Sequence, residues 1–253
     1  MNAAFFEAVR PMFGGSLTQS QVDGFNVIFE AWTRYGTGSD RHLAYVLATA
    51  FHETGATMQP VRETFASTDA KAKERLTKAW RAGKLPWVKS NYWSNGWFGR
   101  GFVQLTHKEN YERAGQKLGI DLVSDPSKAM IPEVSAAILV KGMVEGWFTG
   151  KKLADFPSEF VGARRIVNGL DRASKIAGYA YDFLSAISAA RAVAPLPKPV
   201  TPPAPETPAR EPYTWKRERL AWPASILVAL GLAWTFGSEQ IAAAWAALVS
   251  VFT

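Results

Sequence analysis

Eight of the chain's fifteen prolines crowd into one run, PLPKPVTPPAPETPAREP, at residues 195–212. Proline has no N–H to give a helix or a central strand, so this run divides the chain rather than joining either part. In the polyproline-II conformation it rises about 3.1 Å per residue and would hold two modules roughly 50 Å apart. The 253 residues therefore read as a body at 1–194, a Pro-rich linker at 195–212 and a tail at 213–253.

The tail opens on an aromatic and basic flank, YTWKRER at 213–219. From Leu220 to Phe236 it runs uncharged, with thirteen apolar residues in seventeen, close to the shortest length that spans a bilayer. GSEQ at 237–240 interrupts it before a second uncharged run of thirteen residues, 241–253. Neither run shows the polar face of a soluble hairpin. Trp215, Trp222 and Trp234 lie near the ends of the first run and Lys216, Arg217 and Arg219 just before it, as in interfacial anchoring. The expectation is a C-terminal transmembrane segment that associates the protein with lipid. The first residues, MNAAFFEAVRPMFGG, lack the basic start and apolar run of a signal peptide.

The body is expected to be mainly α. Thr18 and Gln21 form a capping-box pattern, followed by Val22, Phe25, Ile28, Phe29 and Trp32 at helical spacing until Gly36 and Gly38. Ser39 or Asp40 caps a second helix with Leu43, Val46, Leu47, Ala50 and Phe51 as its buried stripe. Further helices are expected over Lys108–Leu118, Val134–Glu145 and Arg172–Ala192, with strand patterns almost absent. Glycine- and aromatic-rich loops are left to shape a substrate cleft.

With no cysteine and three scattered histidines, thiol chemistry is excluded and neither a metal nor a cofactor is expected. Chemistry falls to carboxylates, hydroxyls and amides. The second helix ends in Phe51-His52-Glu53-Thr54-Gly55, and ten residues later comes Glu63 in Val61-Arg62-Glu63-Thr64. Glycoside hydrolysis needs two such carboxyls, one kept protonated and one ionised. Glu53, against an apolar helix face, suits the first role; Glu63, next to Arg62, suits the second. Spacing alone equally admits two unrelated surface glutamates.

Four blocks in order resemble glycoside hydrolase family 19: Ala48–Gly55, Arg62–Thr64, Trp97–His107 with Asn110-Tyr111, and Ile166–Gly169. The likeness covers roughly residues 17–188, and its compact spacing resembles the disulfide-free phage and bacterial branch. It implies an irregular lysozyme-like helical domain. It implies Glu53 as general acid, and Glu63 as general base with Asp69 and Glu74 on the same stretch. Thr106 would help hold the attacking water, and Gln104, Asn110 and Asn168 would meet substrate amides. The family's arginine near the last helix has no clear match, with Lys175 and Arg172 the residues nearest to one. Trp93, between Tyr92 and Ser94-Asn95, is expected on an exposed loop where its face can stack on a sugar. Arg100 and the flanking Gly99 and Gly101 are expected to be structural, and His107 to be a packing residue.

The reading is an inverting endo-hydrolase of β-1,4 bonds in GlcNAc-containing polysaccharide, chitin or peptidoglycan, acting on the bacterial cell wall as an endolysin. A net charge of +7 suits an anionic wall. The alternatives are a membrane-anchored wall-binding accessory without catalysis, or a lytic transglycosylase. Nucleic acid is not an expected partner, since the basic residues look dispersed.

Overall fold

The structure, a computed structural model, describes residues 1–86 and 88–193. The linker and membrane anchor expected at 195–253 lie outside the described residues. Among the described residues no helix is long and apolar enough to cross a membrane.

The described chain runs α1 (Ala3–Val9), α2 (Gln19–Tyr35), α3 (Asp40–Glu53), β1 (Val61–Arg62), α4 (Asp69–Arg81), β2 (Arg100–Gly101), α5 (Lys108–Leu118), α6 (Pro132–Glu145) and α7 (Ala173–Ala192). The expected signals start and stop these helices. Thr18 and Gln21 close a capping box on α2, and Ser39, not Asp40, caps α3 by accepting the His42 N–H. Gly119 and Gly146 end α5 and α6 in the left-handed conformation. α7 starts one residue later than expected, because Arg172 is its left-handed N-cap (φ 53°).

α3 is the axis of the body: every residue from Leu43 to Glu53 is buried. A helix apolar nearly all round belongs inside a core, and here α1 and α3 pack on α7 while α2 packs on α6. Phe5, Phe13, Phe25, Phe51 and Phe183 interlock mostly edge to face where these helices meet. Gly24 lets the turn after α3 reach α2, since a Cβ there would lie 1.6 Å from the Met58 carbonyl oxygen.

A second, smaller core lies under α4, formed by Ala66, Ala72, Leu76, Ala79, Leu85, Val88, Trp93 and Phe98. The buried members of the large core stop at Met58 and resume at Phe102, with only Trp97, among the described residues between them, packed against it. At both ends of that interval lie the strands of one antiparallel ribbon, with Val61 opposite Gly101 and Arg62 opposite Arg100. Residues 63–99 thus form a lobe hung on the body by β1 and β2, and Glu63 is its first residue.

Candidate active site

Glu53 ends α3 inside the large core. Its Oε1 accepts from Arg164 Nη1 at 2.7 Å, with both side chains under a tenth exposed. Arg164 sits in a 3-10 turn, Gly162–Ile166. Its Nε donates to the Asp171 carbonyl, and its own carbonyl accepts the Asn168 N–H at 3.0 Å. Sequence reading left the arginine near the last helix without a match, and the structure places Arg164, ahead of the Asn168-Gly169 block, against Glu53. The only sequence signal was its place four residues before Asn168. Burial pushes Asp171 up despite Arg172 and Arg164 nearby. Burial also pushes the His52 imidazole down to about 4, opposed by Glu53 and reinforced by Arg164, Arg172 and Lys175.

Glu63 sits at the seam and is completely buried. Oε1 accepts the Tyr92 hydroxyl at 2.6 Å and Oε2 the Gly99 N–H at 2.7 Å. Burial pushes its carboxyl up, against those two hydrogen bonds and the Arg100 charge. This corrects the expectation that Arg62 keeps it ionised. Arg62 turns instead to Asp69, 2.5 Å away, and Arg100 holds the other Asp69 oxygen at 2.7 Å. Partial burial alone would raise Asp69, yet the two guanidinium groups hold it below the usual carboxylate range.

Arg100 is structural, as expected. Buried across the Phe98 ring at 3.7 Å, it also donates to the Gly96 carbonyl and the Tyr111 hydroxyl. A Cβ on Gly99 would meet Gln104 Oε1 at 2.7 Å, and Gly101 (φ 87°) packs on Ser135, so this path requires glycine.

Gln104, Thr106 and Asn110 form one string. Gln104 Nε2 donates to the carbonyls of Val61 and Gly101, so it braces β1 and its N–H groups are already engaged. Thr106 Oγ1 donates to the Gln104 carbonyl at 2.7 Å, and Asn110 Nδ2 to the Thr106 carbonyl at 2.7 Å. This string is tied to β1 at Val61, two residues before Glu63, whereas Asn168 is tied through its backbone to Arg164, the partner of Glu53.

Trp93 joins neither group. It is 1% exposed, its indole N–H donates to Thr77, and it belongs to the lobe core. The turn carrying Ser94 and Asn95 folds it inward, so it offers no open face for stacking. Phe98 is likewise buried, while Tyr92 and Trp97 are half-exposed. His107, half-buried, packs its ring against Tyr92.

Among the described residues the non-glycine left-handed positions are Ala56, Met58, Thr64, Phe65, Gln104, His107 and Arg172. All lie in the segments that carry these two groups, and backbone strain held by its surroundings concentrates at functional sites. Among the described residues no group of three or more His, Asp or Glu could hold a metal ion.

A stretch of 98 residues is 30% identical to acidic endochitinase Q of Nicotiana tabacum, covering 38% of each chain. Chitinase 11 of Oryza sativa subsp. japonica is 33% identical over 84 residues, 33% of this chain and 32% of that one. The chain thus spans less than two fifths of the length of either relative. The crystal structure of chitinase C from Streptomyces griseus aligns with a TM-score of 0.49 at 20% identity, over 74% of this chain and 78% of that one. The profile of chitinase class I matches residues 22–179, well over half of the chain, and the protein belongs to that family, glycoside hydrolase family 19.

Proposed function

We propose that the protein is an inverting endo-hydrolase of β-1,4 bonds in GlcNAc-containing polysaccharide, chitin or peptidoglycan, and serves as a cell-wall-degrading endolysin. The observation that carries this reading is the Glu53–Arg164 pair. Packing alone would favour an apolar residue at the end of the most buried helix, and a buried ion pair gains little net stability over one. A carboxylate kept there points to chemistry.

In this mechanism Glu53 donates a proton to the glycosidic oxygen as the C1–O bond breaks. Glu63 takes a proton from the water that bonds to C1 from the opposite face, which inverts the anomeric centre. Thr106 has committed its own proton to Gln104, so its oxygen accepts from that water. Desolvation makes Glu63 a stronger base once it is ionised, and Tyr92 must first release it. Asn110 and Asn168 offer amides to N-acetyl groups, and Gln104 offers its Oε1.

Glu53→Gln is expected to abolish hydrolysis of chitin oligomers and peptidoglycan; near-wild-type turnover would sink the mechanism. Anomer detection by NMR should show the α product first, and an anhydro sugar would indicate a lytic transglycosylase instead. The tail is proposed to associate the protein with membrane lipid. Deleting 213–253 should release the enzyme into the soluble fraction with hydrolysis intact, and a truncated enzyme retained by membranes would refute that role.

A further inference from the structure

The body's positive charge is not dispersed. Residues 63–99, the lobe on the β1–β2 ribbon, carry seven Lys or Arg against three Asp or Glu, while the rest of 1–193 carries seventeen against fifteen. Between Lys71 and Lys89 the sole carboxylate is Glu74.

α4 turns this excess into a surface. Its buried residues Ala72, Leu76 and Ala79 share one face and seat the helix on the lobe core. At 3.6 residues per turn, Lys71, Glu74, Lys78 and Arg81 fall together on the opposite face, and all four are exposed. Lys84, in the turn after the helix, is exposed too. Lys73 and Arg75 instead turn back on the lobe, donating to the carbonyls of Ser94 and Thr64. The row from Lys71 to Arg81 spans about 15 Å. No step assigned to Glu53 or Glu63 uses it.

We propose that this face of α4 binds a carboxylate-bearing glycan, so that the substrate is the anionic, peptidoglycan-type polymer rather than a neutral GlcNAc homopolymer. The proposal rests on the hydrolase reading above. The lobe that bears the row starts at Glu63 and ends at Gly99, whose N–H holds Glu63, so a strand engaged on the lobe is tethered to the site. Glu74, in the middle of the row, suits spaced carboxylates. It would be repelled by the continuous charge of a nucleic-acid backbone, about one per 1.7 Å of duplex.

The full chain in detergent, carrying Glu53→Gln so that bound polymer stays intact, is pelleted with purified peptidoglycan sacculi and with chitin at rising salt. Adding Lys71→Gln, Lys78→Gln, Arg81→Gln and Lys84→Gln should weaken sacculus binding by about tenfold at low salt and flatten its salt dependence. Chitin binding should not change. Amidating the sacculus carboxylates should weaken binding of the unaltered lobe by the same factor, a measurement that does not depend on how the four-fold variant folds. Undiminished sacculus binding by either route overturns the proposal. So does a loss seen only in a parallel binding assay with duplex DNA, which would assign the row to nucleic acid. Release of reducing ends from saturating sacculi by protein with Glu53 intact, with and without the four substitutions, reports separately on the hydrolase reading: no release by either protein would sink that reading and not the binding row.

Discussion

Replacing His52 by glutamine removes a proton-binding group from beside Glu53 and should flatten the pH dependence of folding below neutrality. In the native protein burial drives this imidazole from 6.5 down to about 4. As pH falls, the unfolded chain therefore takes up the proton first and binds more protons than the native state. Stability then rises with pH across that window: the contribution is complete above about 6.5 and lost on the way down to about 4. At about 1.4 kcal/mol per pH unit the full window amounts to about 3 kcal/mol. For a domain of this size that is roughly 6–12 °C in Tm. Urea unfolding of wild type and His52→Gln at steps from about pH 7.5 to 4 measures it. Burial also lowers His42, with Arg41 adding to it, but that effect is common to both proteins and cancels in the difference. Parallel stability curves would refute the reasoning, as would an NMR titration of His52 centred near its ordinary value.

Arg164→Met leaves the Glu53 carboxylate buried without its partner and should cost about 3–5 kcal/mol. Adding Glu53→Gln should recover at least about 1 kcal/mol of that in urea melts, and strictly additive losses would show the two side chains are not coupled. Glu63 has the opposite sign to His52. Its raised carboxyl holds a proton more tightly when folded, so its contribution is complete below the ordinary 4.5 and is lost as pH rises through the folded value. Glu63→Gln should therefore gain stability relative to wild type as pH climbs from about 4.5, and a pH-independent difference between the two proteins would contradict this.

The longer helices were legible because their signals are local. The Thr18–Gln21 box, the apolar stripe of α3 and the terminal glycines of α5 and α6 act within a turn or two of the residues they order. α1 and α4 were not, for reasons of composition. α1 is seven residues long with two buried positions, and α4 seats itself mainly on alanines among lysines, which reads as a solvated segment. In the site, the order of the blocks pointed to Glu53 and Glu63 but not to what surrounds them. Arg164 is 111 positions from its carboxylate, and no local pattern marks such a pair. Arg62 is the converse case: adjacent to Glu63 in sequence, it extends past it to Asp69. Trp93 was misread because Ser94 and Asn95 describe the turn and not the indole, which reaches back to Thr77 across the lobe core.

The two carboxylates are held by different partners, and this constrains any catalytic cycle. Glu53 is engaged by the Arg164 guanidinium, whereas Glu63 is held by a hydroxyl and an amide in a dry seam that pushes its carboxyl up. A base at Glu63 has to ionise against that burial. On the proposed mechanism, polymer binding must free Glu53 from Arg164 to meet the glycosidic oxygen and free the Glu63 oxygen held by Tyr92 to meet the water. The structure offers a connection for each. Asn168, an expected amide-binding residue, is bonded through its backbone to the Arg164 carbonyl, so a strand gripping Asn168 pulls on the turn that aims the guanidinium. Tyr92 lies on the 91–96 turn of the lobe and is half-exposed, so a strand lying along the lobe reaches it before it reaches Glu63. Substrate would then free both carboxyls itself, and a free enzyme with both engaged would be protected from idle chemistry. Tyr92→Phe, which removes the hydroxyl that restrains Glu63, should shift the acid limb of the pH profile of kcat/KM upward, because one of the bonds lowering the Glu63 carboxyl is lost. A profile with an unmoved acid limb would mean that Tyr92 does not restrain the base, and the coupling between lobe and carboxylate would have to be abandoned.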